Sequence, residues 1–154
     1  AIFYKGSTQN RIPAGKLKNV GTSAAVLSEL VKRLIEHLGQ WCIEKVILLK
    51  QPDFIEKNQI ILDADKVGNI VLRYWKAGDR FSPRGINGSK KLARVMRDLH
   101  ISAGERRIWP LVADENHIYW IAFLRGSNYG LPDKNTKKYL LITLKKENRE
   151  DEES

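Results

Sequence analysis

Hydrophobic positions along the chain fall into two periods. From 23 to 38, Leu27, Leu30, Val31, Leu34, Ile35 and Leu38 recur on one helical face, with Glu29, Lys32, Arg33 and Glu36 opposite. Thr22 or Ser23 can cap the start of that helix and Gly39 can end it. Leu92, Val95, Met96 and Leu99 repeat the spacing and predict a helix over 89–99, with Ser89 as its N-cap. Ser102 and Glu105 form a capping-box pattern for a helical turn that Pro110 must stop. Elsewhere short β-rich runs predict strands at 41–49, 59–63, 70–75, 111–113, 117–124 and 139–144. Gly68-Asn69 would join 59–63 and 70–75 as a hairpin, and residues 114–116 would turn a second one. Strands outnumber helices and hairpins outnumber crossovers. The expectation is an α+β fold with a small, mainly antiparallel or mixed sheet and two or three helices. Pro52 suggests a boundary between a segment at 1–52, carrying one amphipathic helix, and a main module at 53–146. Residues 147–154, ENREDEES, read as an acidic disordered tail.

Charge changes this picture. The formal net charge of the 154 residues is +9 and the pI is about 9.7. A core does not need that excess, so it points to a polyanionic partner. The single cysteine, Cys42, excludes an intramolecular disulfide and fits a reducing compartment. No apolar run approaches the ~20 residues of a membrane helix, and no signal peptide opens the chain. The expectation is a cytoplasmic protein without a membrane partner, or a piece of one, since the chain starts at Ala1 rather than Met.

The cations concentrate at 76–100. Gly78, Gly85, Gly88 and Pro83 shape a loop in which Asp79 can hold the bend, displaying Lys76, Arg80 and Arg84. Lys90, Lys91, Arg94 and Arg97 follow at the helix, against one acid, Asp98. Loop, helix N-terminus and cations together suit phosphate; the alternative is an ordinary solvated face. A nucleotide P-loop is set aside because two residues, not four, separate Gly85 from Gly88, and Ser89 precedes Lys90. The Asn87-Gly88-Ser89 sequon reads as chance without a secretion signal. His37, His100 and His117 lack metal-ligand spacing. Trp75, Trp109 and Trp120 can stack on bases, but their neighbours alternate like core strands, so burial is expected for at least two. No catalytic constellation emerges.

Residues 62–125 resemble the C-terminal domain of bacterial tRNA(Ile)-lysidine synthetase, a PP-loop ligase. The similar stretches are Leu62 to Asp65, Leu72 to Phe81 with Pro83 and Gly85, and Gly88 to Leu92. Ile101, Glu105 to Arg107, Pro110 to Val112, Ile118 to Trp120 and Leu124-Arg125 continue the series in order. The resemblance implies a fold shared with a tRNA-binding part of the phenylalanyl-tRNA synthetase β subunit. It also implies a module that grips a tRNA acceptor stem while a separate PP-loop domain, in cis or in trans, ligates lysine to the wobble cytidine. The tRNA would be a minor isoleucine tRNA, and ATP and Mg would belong to the full enzyme, with no cofactor in this chain. The family's SGGxDS motif is absent here, so this chain alone is not expected to make lysidine. The family usually has glycine where Phe123 stands. The phosphate-facing set is then Lys90, Lys91, Arg94 and Arg97, followed by Arg80, Arg84, Lys76 and Ser89, with Arg107 also explicable by a salt bridge. Alternatives are a protein-interaction or homodimerisation module, built on the helix at 23–38, and a general RNA-binding domain.

Overall fold

The computed structural model describes residues 5–8 and 41–146. The expected helix at 23–38 and the acidic tail at 147–154 lie outside the described residues. One four-stranded antiparallel sheet has the order β1 (Lys5–Thr8), β2 (Trp41–Leu48), β10 (Tyr139–Lys146), β3 (Gln59–Asp63). A second has the order β4 (Val71–Arg73), β7 (Leu111–Ala113), β8 (Ile118–Ile121), β9 (Arg125–Gly126). Between β4 and β7 in sequence, β5 (Arg80–Phe81) and β6 (Lys90–Lys91) pair as a short ribbon ahead of α1 (Leu92–Asp98) and α2 (Ala103–Arg106). This is the expected α+β class.

Alternation drives the first sheet. Leu140, Ile142 and Leu144 of β10, Trp41 and Ile43 of β2, and Ile60 and Leu62 of β3 all turn inward and are buried. In β7 and β8 every residue is buried, so both faces of this hairpin are covered. Both sheets contribute to one hydrophobic core, which also takes Leu92, Val95 and Met96 from α1.

Four local expectations change. The strands at 59–63 and 70–75 do not form a hairpin, because β3 pairs with β10 and β4 with β7. The connection is bent away from itself. Asp63 closes a turn by accepting from the Asp65 and Lys66 amides, and the Gly68 amide donates to Asp114 of the β7–β8 turn. The strand predicted over 70–75 keeps only 71–73, and Tyr74 is exposed as the chain leaves the sheet. The strand predicted over 117–124 stops at Ile121, where Phe123 takes a left-handed φ of 68° and the Leu124 amide turns back to the Ile121 carbonyl. The helix predicted from 89 begins at Leu92, because Lys90 and Lys91 pair with β5. Position 52 falls in the β2–β3 connection, and β2 is paired with β10 along all its eight residues, so one sheet extends across it.

Candidate nucleic-acid interface

The basic segment is built on Asp79. Its carboxylate takes a bidentate pair from the Arg73 guanidinium at 2.9 and 3.1 Å and a hydrogen bond from the Lys76 amide at 2.8 Å. Its carbonyl accepts from the Leu92 amide at 2.8 Å, fixing the start of α1. Burial alone would raise its pKa. The Arg73 hydrogen bonds, the Lys76 amide and the charges of Arg73 and Lys76 outweigh that and hold it below the usual carboxylate value. The bend expected of Asp79 is therefore present, and Gly78 completes it with a φ of 90°.

Beyond β5, the loop 83–89 is clipped by a residue from far along the chain. The Asn128 side chain accepts from the Gly85 amide at 2.9 Å and donates to the carbonyls of Pro83 at 2.9 Å and Ile86 at 2.8 Å. Ser82 adds a hydroxyl bond to the Gly88 carbonyl. Nothing in the local sequence marks Asn128, because its loop partners lie 42 to 45 positions away.

All nine predicted residues are exposed: Lys76, Arg80, Arg84, Ser89, Lys90, Lys91, Arg94, Arg97 and Arg107. The ribbon faces Arg80 to Lys91, and α1 follows directly with Arg94 and Arg97. Arg107 stands apart, at the C-cap of α2. Lys90, Lys91, Arg94 and Arg97 have no hydrogen bond or ion pair from their side chains among the described residues.

Ser89 is not the N-cap. Lys91 occupies that position without a side-chain bond, and the Ser89 hydroxyl and carbonyl instead receive Arg80 at 2.9 Å each. With α1 only seven residues long and its first amide given to Asp79, the helix N-terminus is not an open phosphate cradle. Grip must come from side chains. Nor does the loop resemble a P-loop, since the Gly85 and Ile86 amides are engaged by Asn128 and Pro83.

Arg84 is more enclosed than a displayed loop cation. It lies over Gly126, where an added Cβ would stand 2.6 Å from its guanidinium. Arg125, a residue the charge pattern alone did not single out, donates to the Arg84 carbonyl at 2.7 Å. Burial first and the Arg125 charge second pull the Arg84 pKa down. Neither has a carboxylate within ion-pair distance among the described residues. Two guanidiniums so arranged favour an anion beside them.

Of the tryptophans, Trp109 and Trp120 are buried, and the Trp109 indole donates to the Ala122 carbonyl. Trp75 is half-buried with the Arg106 guanidinium 5.5 Å from its ring centroid. Two of the three are core, as expected of at least two, and none is left open as a base platform.

Comparison with known proteins bears on this arrangement. Residues 70–142 match the family model of the TilS substrate C-terminal domain. The tRNA(Ile)-lysidine synthase of Caldanaerobacter subterraneus subsp. tengcongensis is 41% identical over 116 residues, 73% of this chain and 25% of that protein. The tRNA(Ile)-lysidine synthase of Clostridium acetobutylicum is 40% identical over 92 residues, 59% of this chain and 20% of that protein. The chain thus spans a quarter or less of these relatives. A crystal structure of the TilS C-terminal domain superposes with a TM-score of 0.60 at 20% identity, covering 93% of this chain and 99% of that one, which shows a shared fold.

Proposed function

Because this chain belongs, over residues 70–142, to the TilS substrate C-terminal domain family, we propose that it is the tRNA-gripping part of a tRNA(Ile)-lysidine synthase. The observation that carries the reading is the set of exposed cations on β6 and α1, without acidic partners and mounted on a ribbon and loop that Asp79 and Asn128 hold rigid. Side chains fixed in this way contact the phosphates of a duplex stem, reading shape rather than sequence, because the deep major groove of A-form RNA closes its bases to side chains. Ligation of lysine to the wobble cytidine of a minor isoleucine tRNA, with ATP and Mg, would be the work of a separate PP-loop domain. Such a protein acts in the cytoplasm, where its substrate is. No helix among the described residues is long and apolar enough to cross a membrane.

Reversal of Lys90, Lys91, Arg94 and Arg97 to Glu tests this directly. The variant is expected to lose affinity for tRNA in a fluorescence-anisotropy titration and to keep its circular dichroism and melting temperature, since none of the four side chains is buried. Unchanged affinity would refute the placement of the interface.

A further inference from the structure

We propose that the cleft between the β5–β6 ribbon and the β7–β8 hairpin is a pocket for one unpaired nucleotide of the bound RNA, with its base stacked on Tyr129 and its phosphate on Arg80. The inference rests on the RNA-binding reading above and adds a second kind of contact to it. The cleft measures about 280 Å³ and is lined by Arg80, Ser89, Asn116, His117 and Tyr129 among others. Tyr129 is 39% exposed, so one part of its ring is open to a ligand. It does not lie loose on the surface. The His117 ring sits 3.9 Å from its centroid at 30°, and Tyr119 in turn meets His117 edge-on at 6.0 Å. The Tyr129 amide is bonded to the Ser127 hydroxyl at 3.0 Å. The ring is therefore pre-stacked from within, and its hydroxyl has no hydrogen-bond partner among the described residues.

The walls supply the polar contacts. Arg80 is aimed by its two bonds to Ser89, which use Nε and one terminal nitrogen and leave the other terminal nitrogen for an anion. The Asn116 side-chain amide, also without a partner, can meet the edge of a base. A cation beside a stacked aromatic platform is the arrangement that binds single-stranded nucleic acid. Paired bases inside a duplex have both faces covered, so only a nucleotide flanking the stem can enter. The pocket shares Arg80 with the ribbon and takes Ser89 from the residue just before β6, so the flanking nucleotide lies next to the gripped duplex.

The test compares a blunt-ended RNA hairpin with the same hairpin carrying a short unpaired 3′ extension, each titrated against the full chain and its variants. The wild-type chain is expected to bind the extended hairpin about tenfold more tightly, the range of one base–aromatic stack. Tyr129→Ala and Tyr129→Leu are expected to lose that preference, and Tyr129→Phe to keep it. Affinity for the blunt hairpin should be the same in all, which also shows that the variants fold. Equal wild-type affinity for the two hairpins, or a preference that survives in both Tyr129→Ala and Tyr129→Leu, overturns the pocket and leaves the stem grip standing. If the blunt hairpin is not bound while the extended one is, and Tyr129→Ala abolishes that binding, the stem grip fails and the pocket stands. Binding of neither RNA overturns both.

Discussion

Phe123 shows how a single residue can break a local rule and still stabilise the fold. Its φ of 68° is left-handed, a region that favours glycine. Yet the ring is buried, with centroids 6.3 Å from Trp41 and 6.0 Å from Trp120. Relief of backbone strain is worth roughly 1–2 kcal/mol, and deletion of a buried aromatic costs roughly 3–5 kcal/mol. Phe123→Gly should therefore lower stability by about 1–4 kcal/mol in denaturant unfolding, although it relieves the backbone strain. Asp114 makes the complementary point. It collects the amides of Gly68, Asn116 and His117 and the Tyr119 hydroxyl. Burial would raise its pKa, but these bonds overcome burial and bring it from 3.8 to about 2. A depressed carboxylate contributes stability that is complete above its unfolded value and lost as pH falls through the folded one. The contribution is about 2 kcal/mol, present above pH ~4 and removed as pH approaches 2. Asp114→Asn is expected to melt earlier at neutral pH and to show a flatter acid limb in a pH series of melting curves.

At the scale of elements, alternation along the chain made the strands legible and said little about their partners. Leu140, Ile142 and Leu144 announce a strand from sequence alone, but pairing Leu140 with both Ile47 and Leu62 joins segments far apart in the chain. The expected 59–75 hairpin failed for that reason, since a Gly-Asn turn is a local feature and β10 is a distant competitor. Basic residues at 76–97 were legible as a surface. The helix N-cap was not, because Ser89 is held by Arg80 and the ribbon takes the residues a longer helix would have used. Asn128 was invisible for the same physical reason as the strand pairing: its loop partners are remote. Asn128→Ala removes the bonds to Gly85, Pro83 and Ile86 and should cost roughly 1–3 kcal/mol. It should also weaken tRNA binding without changing any charge, which a parallel melt and anisotropy titration would show. The sheet supplies a further prediction. Removal of residues 1–52 strips β2 from β10 and takes Trp41 and Ile43 out of the core. Loss of a buried tryptophan alone costs ~3–5 kcal/mol of a typical 5–15 kcal/mol total. The fragment 53–146 is expected to lack a cooperative melt and to associate through the bared β10 edge in size-exclusion chromatography.

Across the whole molecule, the two signs of charge have different duties. The described acids tend to be committed within the fold: Asp63 to Thr136, Asp79 to Arg73, Asp114 to Tyr119, Asp133 to Lys66, Glu44 to Lys145 and Glu105 to its helix cap. The cations of β6 and α1 have no such commitment, so part of the net charge of +9 is gathered along residues 90–97 rather than spread evenly. Contacts of this kind release counterions, and affinity should fall by about 0.7–0.9 log units per phosphate contact for each tenfold rise in salt. Neutralising one contributor, as in Lys90→Ala or Arg94→Ala, should reduce that slope by about one contact and weaken stems of different sequence equally. Titration of two unrelated hairpins over a salt series separates the alternatives. A slope that does not change on neutralisation would mean the cation faces solvent in the complex. A loss confined to one hairpin would mean it reads a base, against the phosphate-contact reading.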